Sequence, residues 1–131
     1  MNILVVDDKK TVQDLLTELL ISQGHNVDKA INGLDALGKA QQGNYQLFII
    51  DHLMPLMNGL QLTKNLKNIP GLADSKIIFM TTQGSHTLKA LPEFPLFDRV
   101  IDKPINKELL LSLITEFSDS SFESDGWQVN S

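Results

Sequence analysis

Short runs of apolar residues alternate with amphipathic segments along most of this chain, and this alternation constrains the fold more than any other feature. Residues 3–6, 47–50 and 77–80 are entirely apolar and predict buried strands, while residues 27–30 and 100–101 are weaker candidates. A strand that is apolar on both of its faces is typical of a parallel sheet covered by helices on each side. The pattern therefore predicts an α/β fold with such a sheet at its centre.

The amphipathic segments carry apolar residues at helical spacing and are bounded by capping residues and a proline. Four longer helices are predicted: one that closes at Gly24, one from Asn32 to Gly43, one from Asn58 to Pro70, and one from Asn106 to Phe117. Between the last two strands, Pro92 and Pro95 leave little room for a further helix, because a proline inside a helix costs about 3 kcal/mol. We therefore expect a short or irregular fourth helix at this point in the chain.

Length and composition indicate one globular domain. The chain has 131 residues, of which 42% are hydrophobic. No apolar run approaches the roughly 20 residues of a membrane helix, and the N-terminus lacks the features of a secretory signal. The lack of cysteine excludes disulfides and thiolate metal sites. The net charge of −5 argues against a broad basic surface that binds nucleic acid. We expect a cytoplasmic protein whose domain neither inserts into a membrane nor contacts nucleic acid.

The end of the chain differs in composition from the rest. Residues 118–131 are rich in serine and acidic residues and contain few residues that could be buried. Such a composition cannot offset the entropy that is lost on ordering. The sequence therefore predicts a domain over residues 1–117, followed by a flexible polar tail or the start of a linker over residues 118–131.

Polar side chains follow the predicted strands at the point where each strand ends. They are Asp7 and Asp8 after the first strand, Asp51 after the third, Thr81 and Thr82 after the fourth, and Asp102 and Lys103 after the fifth. Because the carboxyl ends of parallel strands meet at one edge of a sheet, we expect five of these groups to share one crevice. They are the carboxylates of Asp7, Asp8 and Asp51, the Thr81 hydroxyl and the Lys103 ammonium group.

Three neighbouring carboxylates need an explanation, because two like charges 4 Å apart repel by about 4 kcal/mol at an effective dielectric of 20. Either one carboxyl group keeps its proton or a cation lies among them. An all-oxygen site suits Mg²⁺, which takes one or two carboxylates and keeps several waters. With the metal bound, Asp51 can act as a nucleophile toward phosphorus, and Lys103 and Thr81 can stabilise the transferring group.

Five motifs along residues 1–117 carry a resemblance to a known family. They are "VVDD" (5–8), "NGLDAL" (32–37), "IIDHLMPLMNG" (49–59), "IIFMTT" (77–82) and "DKP" (102–104). In this order and at these spacings, they resemble the response-regulator receiver domains of two-component signalling, of the chemotaxis type. The resemblance implies a flavodoxin-like, five-stranded parallel sheet in the order 2-1-3-4-5, with helices on both faces.

The same resemblance implies a phosphorylation site with a metal beside it. Asp51 would be the phosphate acceptor in a Mg²⁺-dependent reaction. Asp7, Asp8 and Asp51 would hold the metal together with the backbone carbonyl of Leu53, and Mn²⁺ would be able to replace Mg²⁺. The domain would not be an enzyme beyond its own phosphotransfer and dephosphorylation at Asp51.

Three further residues have roles by resemblance. Thr81 would sense the phosphoryl group, Lys103 would contact it, and Pro104 would follow a cis peptide bond. The phosphodonor would be a histidine kinase or a phosphotransfer protein, and the phosphorylated domain would act on a downstream protein partner. Two arrangements are open. The chain is either a stand-alone receiver that acts by binding partner proteins, or a receiver whose output domain lies beyond Ser131.

The chain departs from the family pattern on the expected output side. Receivers usually carry an aromatic residue where this chain has Val100, and that ring moves inward when the threonine shifts toward phosphate. Leu53 is apolar where many relatives are polar, and Thr82 is bulkier than the usual alanine or glycine. We therefore expect an altered readout and a phosphorylated form that hydrolyses slowly. The alternative is a pseudo-receiver that binds a partner independently of phosphorylation.

Several of these residues also have a plainer interpretation. Asp8 could cap the first helix, Thr81 could simply end its strand, and Lys103 could be a solvated surface residue. The histidines show no ligand spacing and are interpreted as ordinary: His25, His52 and His86. The apolar residues near the two prolines are expected to pack beneath the shortened helix, with a partner-binding patch as the alternative: Phe94, Leu96 and Phe97.

Overall fold

A parallel sheet of five strands forms the centre of the computed structural model, which describes residues 1–126 and the side chains of residues 1–118. The strands are β1 (Asn2–Val6), β2 (Asn26–Ala30), β3 (Leu47–Asp51), β4 (Lys76–Thr81) and β5 (Arg99–Asp102). Their order across the sheet is β2-β1-β3-β4-β5, and every neighbouring pair is parallel. The predicted sheet and its strand order are therefore confirmed.

Within residues 1–126 there are four α-helices: α1 (Lys10–Ser22), α2 (Gly33–Gln42), α3 (Gly59–Lys67) and α4 (Lys107–Gly126). Two 3₁₀ helices, Ser85–Ala90 and Phe94–Leu96, lie between β4 and β5 where a short or irregular fourth helix was expected. Helix α4 continues past Phe117 to Gly126, and residues 127–131 of the predicted tail lie outside the described residues. No helix among the described residues has the length and apolar character to span a membrane.

Alternate strand residues build two cores, one on each face of the sheet. One core lies beneath α2, α3 and the 3₁₀ helices and includes Leu4, Val6, Phe48, Ile50, Phe79, Ala36, Leu62 and Leu66. The other lies beneath α1 and α4 and includes Ile3, Val5, Ile49, Ile78, Met80, Leu16, Leu20, Leu110 and Ile114. Both faces of β1, β3 and β4 are thus buried, which is why these strands are continuous apolar runs in the sequence.

The starts of three helices follow from asparagine caps. The side-chain oxygens of Asn32, Asn58 and Asn106 each accept a hydrogen bond from the backbone N–H of the residue three positions on. At the start of α3, Gly59 lies against the backbone of Asp51, and a Cβ atom there would collide with the Asp51 carbonyl oxygen. Glycine therefore lets α3 begin directly beside the end of β3.

Aromatic packing holds the segment between β4 and β5. The ring of Phe97 stacks on Phe79 of β4, with centroids 4.1 Å apart and an interplanar angle of 13°, and Phe94 meets Phe97 edge-on. Leu88 of the first 3₁₀ helix is also buried. Phe94 and Phe97 therefore pack against the core as expected, and the half-buried Leu96 lies between them in the sequence.

Candidate functional site

Three carboxylates meet at the carboxyl edge of the sheet. Asp7 and Asp8 follow β1, and Asp51 is the last residue of β3. One carboxylate oxygen of each lies within 4.8 Å of the others. Asp7 and Asp51 are buried, whereas Asp8 is exposed at the mouth of the site. We call these three residues and Lys103 the acidic pocket.

Lys103 lies inside this pocket and is not a solvated surface residue. Its side chain is only 10% exposed, and its ammonium group donates to Asp7 Oδ2 at 2.9 Å and to Asp51 Oδ1 at 3.2 Å. Its backbone N–H donates to the Thr81 carbonyl oxygen, which ties the loop after β5 to the end of β4. The peptide bond between Lys103 and Pro104 is cis, the conformation that the resemblance implied.

The charges of the pocket are unbalanced around Asp51. Burial and then the charge of Asp7 raise the pKa of Asp51, and Lys103 offsets only part of this effect. For Lys103 itself, burial would lower the pKa, but its bonds to Asp7 and Asp51 outweigh burial and raise it. Among the described residues, Asp51 Oδ2 is buried and has no hydrogen-bond partner. A buried carboxylate oxygen without a donor is destabilising, so this atom favours a cation or another electrophile beside it.

Asp7 is held by its own loop, and Asp8 is not committed to the adjacent helix. Asp7 Oδ1 accepts a hydrogen bond from the Lys9 backbone N–H at 2.8 Å. Gln13 of α1 reaches back and donates to the Asp7 carbonyl oxygen at 2.7 Å. The N-cap of α1 is Lys9, and among residues 1–118 no side chain caps this helix. Asp8 therefore does not act as the cap, and its carboxylate faces the pocket mouth.

Thr81 ends β4 beside the pocket and is fully buried. Its Oγ1 accepts a hydrogen bond from the Gln83 backbone N–H at 3.0 Å and lies 3.0 Å from Nδ1 of His52. The spacing of the histidines in the sequence did not predict this contact of His52. The available signal was a polar side chain placed directly after a fully buried strand, next to the candidate acceptor Asp51.

The remaining candidate residues lie around the pocket or on the side of β5. Leu53 is 53% exposed and Thr82 and Pro104 are exposed, so these three are open to solvent. Val100 is half-buried in β5, where it pairs with Phe79 of β4. Asp102 binds the backbone N–H and hydroxyl of Ser85 and so serves the segment between β4 and β5.

The fold and the acidic pocket agree with a match between this chain and a known protein family. The family model described as the response regulator receiver domain matches residues 3–115. The chain therefore belongs to the family of response regulator receiver domains, as its resemblance implied. Its relatives include proteins of two-component and chemotaxis-type signalling.

Individual relatives agree with this placement. The chain is 34% identical to Protein PilH of Pseudomonas aeruginosa over 112 residues, which is 86% of this chain and 93% of that protein. It is also 34% identical to the probable transcriptional regulator ycf29 of Porphyra purpurea, over 86% of this chain and 54% of that protein. The chain thus spans about half the length of that regulator.

A solved structure shares both fold and sequence. The response regulator protein TrrA of Thermotoga maritima, described in complex with Mg²⁺ and BeF, has a TM-score of 0.78 and 34% identity, covering 88% of this chain and 96% of that one.

Proposed function

We propose that this receiver domain is phosphorylated on Asp51 in a Mg²⁺-dependent reaction, and that phosphorylation switches its interactions with other proteins. The observation that carries the proposal is the state of the Asp51 carboxylate. One oxygen is held by Lys103, and the other is buried beside two more carboxylates, with no hydrogen-bond partner in the part of the chain that the structure describes. Such a group has a free nucleophilic atom in a place that already favours a cation.

The donors fit magnesium. Asp7, Asp8 and Asp51 offer three carboxylate oxygens, and the Leu53 carbonyl is proposed as a fourth protein ligand. A hard cation with oxygen ligands is the metal that such a set favours, and Mn²⁺ is expected to substitute. When bound, the metal neutralises charge on the phosphoryl oxygens during transfer. The magnesium described in the TrrA structure supports this assignment by similarity.

The reaction uses groups that this chain already brings together. A histidine kinase or phosphotransfer protein presents a phosphohistidine, and an oxygen of Asp51 attacks its phosphorus atom. A P–O bond forms, the P–N bond breaks, and the released imidazole takes up a proton. The Lys103 ammonium, now shared between Asp7 and Asp51, is close enough to move to a phosphoryl oxygen.

The output follows from contacts that the phosphoryl group adds. Charge-assisted bonds from Thr81 and Lys103 would favour one of two conformations, and a shift from 1:99 to 99:1 takes about 5.5 kcal/mol of differential interaction. Thr82, Val100 and Pro104 are proposed to transmit the change to a downstream protein. Leu53, an apolar residue two positions after Asp51, and the bulky Thr82 are proposed to shield the phosphoryl group from water, so the phosphorylated form is expected to hydrolyse slowly. Since the pocket is complete, a pseudo-receiver is not favoured.

Beryllofluoride with Mg²⁺ tests the proposal, because this complex mimics an aspartyl phosphate. NMR resonances around Asp51 should shift in the wild type and stay unchanged in Asp51→Ala. Asp74→Ala is a matched control, since Asp74 is an exposed carboxylate just before β4, at the opposite edge of the sheet. An unresponsive wild type, or an equal response in Asp51→Ala, would contradict phosphorylation at Asp51.

The switching step needs its own measurement. Proteins co-purified with the chain in the presence and absence of beryllofluoride should differ if phosphorylation controls partner choice. A partner that binds wild type and Asp51→Asn equally under both conditions would indicate a module that is independent of phosphorylation.

A further inference from the structure

His52 is fixed in place beside the phosphoacceptor. Its backbone N–H donates to the Met80 carbonyl oxygen, and its own carbonyl accepts from the Gly59 N–H, both at 2.9 Å. Its ring is buried and packs against Phe79, with centroids 5.2 Å apart. These contacts aim the imidazole at Thr81, where Nδ1 lies 3.0 Å from Oγ1. The surrounding contacts therefore hold the imidazole in place as a hydrogen-bond partner of the Thr81 hydroxyl.

The hydrogen inventory at Thr81 decides which group donates. The hydroxyl has one hydrogen to give, and its oxygen already accepts from the Gln83 N–H. If His52 Nδ1–H also donated, the hydroxyl hydrogen would need another acceptor at a side chain with no solvent exposure. Among the described residues, His52 Nδ1 is the acceptor within reach. Since buried polar groups are satisfied as a rule, the hydroxyl donates to Nδ1.

We propose that His52 is a positioning residue that accepts the Thr81 hydroxyl hydrogen and so competes for it with a phosphoryl group on Asp51. This inference rests on the proposed phosphorylation of Asp51. A phosphoryl oxygen offers Thr81 a charge-assisted bond, which is stronger than the neutral bond to imidazole. Binding of the phosphoryl group by Thr81 therefore breaks the His52–Thr81 hydrogen bond. The loss of this bond reduces the net free energy that is gained when Thr81 binds the phosphoryl group.

Two substitutions at one position separate the hydrogen bond from the bulk of the ring. His52→Leu removes the acceptor and leaves an apolar side chain against Phe79. His52→Asn keeps an acceptor, because its Oδ1 is joined to Cγ as Nδ1 is in histidine. In a titration with beryllofluoride and saturating Mg²⁺, His52→Leu should bind about threefold to tenfold more tightly than wild type, the worth of one neutral hydrogen bond. His52→Asn should bind like wild type.

A double-mutant cycle separates this competition from a merely structural role. In a Thr81→Val background there is no hydroxyl to compete for, so His52→Leu should leave beryllofluoride affinity unchanged. An equal gain in both backgrounds would overturn the proposal, as would wild-type or weaker affinity in His52→Leu alone.

The wild-type protein provides a test that does not depend on how the variants fold. In Mg²⁺ alone, the imidazole ¹⁵N shifts of His52 should show that Nδ1 carries no hydrogen of its own and accepts a hydrogen bond. This hydrogen bond should be lost when beryllofluoride is added. A protonated Nδ1, or a bond that persists, would overturn the role of His52. If the wild type binds no beryllofluoride at all, the proposed function fails first; if it binds and the His52 results are negative, only this inference fails.

Discussion

The acidic pocket and the segment between β4 and β5 both begin where β4 ends, but they are built in different ways. The pocket consists of residues that end or directly follow strands, and ion pairs from Lys103 to Asp7 and Asp51 hold it together. The neighbouring segment is two 3₁₀ helices held by the stack of Phe97 on Phe79. The first depends on topology and charge, and the second on apolar packing. Changes in one should therefore spare the other.

The largest expected effect is the loss of the cation from the pocket. Lys103→Met leaves the buried carboxylates of Asp7 and Asp51 without their shared partner, and breaking a buried ion pair from one side costs roughly 3 kcal/mol or more. Urea unfolding in EDTA should show this loss of unfolding free energy, and Mg²⁺ should restore part of it. Lys107→Met, an exposed lysine at the start of α4, is the control and should change stability by less than about 0.5 kcal/mol. Equal stability of the two variants would contradict a pocket held by charge.

This contrast also explains what could be predicted from the sequence. Parallel strands end at one edge, so the positions of Asp7, Asp8, Asp51, Thr81 and Lys103 followed once the apolar runs were recognised. Helix starts at the capping asparagines were equally local. Such features depend on chain order and nearby residues alone.

Side-chain partners were beyond reach of the same reasoning. The contact of His52 with Thr81 joins two strands and depends on the ring orientation that Phe79 allows. Likewise, the sequence indicated that the segment with Pro92 and Pro95 could hold only a short helix, but the position of Phe97 on Phe79 is a tertiary contact. Local propensity predicts where a regular element is disfavoured, and packing decides what replaces it.

A second variant should destabilise the segment between β4 and β5 and leave the acidic pocket intact. Phe97→Ala removes the ring that stacks on Phe79, and because Phe97 is half-buried we expect a loss of about 2 kcal/mol, below the range for a fully buried ring. Urea unfolding measures the loss, and calorimetry should show the affinity for Mg²⁺ unchanged. Leu109→Ala is the control, since this apolar side chain is 47% exposed. A drop in Mg²⁺ affinity in Phe97→Ala would show that the two regions depend on one another.

The smallest expected effect is a gain in stability when the charge of Asp51 is removed. Because its pKa is raised in the folded protein, mainly by burial and by Asp7, ionisation of Asp51 opposes folding. Asp51→Asn should therefore raise the melting temperature at pH 7 in EDTA by a few degrees. The gain should shrink as the pH falls through the raised pKa of Asp51 and vanish near and below its ordinary value of 3.8, where Asp51 is protonated in both folded and unfolded chains.

Magnesium should reduce or reverse the stability gain of Asp51→Asn, and this dependence on the metal distinguishes a charge effect from a packing effect. With Mg²⁺ present, the wild type gains binding energy that Asp51→Asn loses in part, so the difference in melting temperature should narrow or change sign. Asp74→Asn removes the charge of an exposed carboxylate, so it should have the melting temperature of the wild type at each pH, both in EDTA and in Mg²⁺. A gain in Asp51→Asn that is the same at pH 4 and pH 7 would mean that Asp51 is not under the electrostatic stress that makes it a candidate nucleophile.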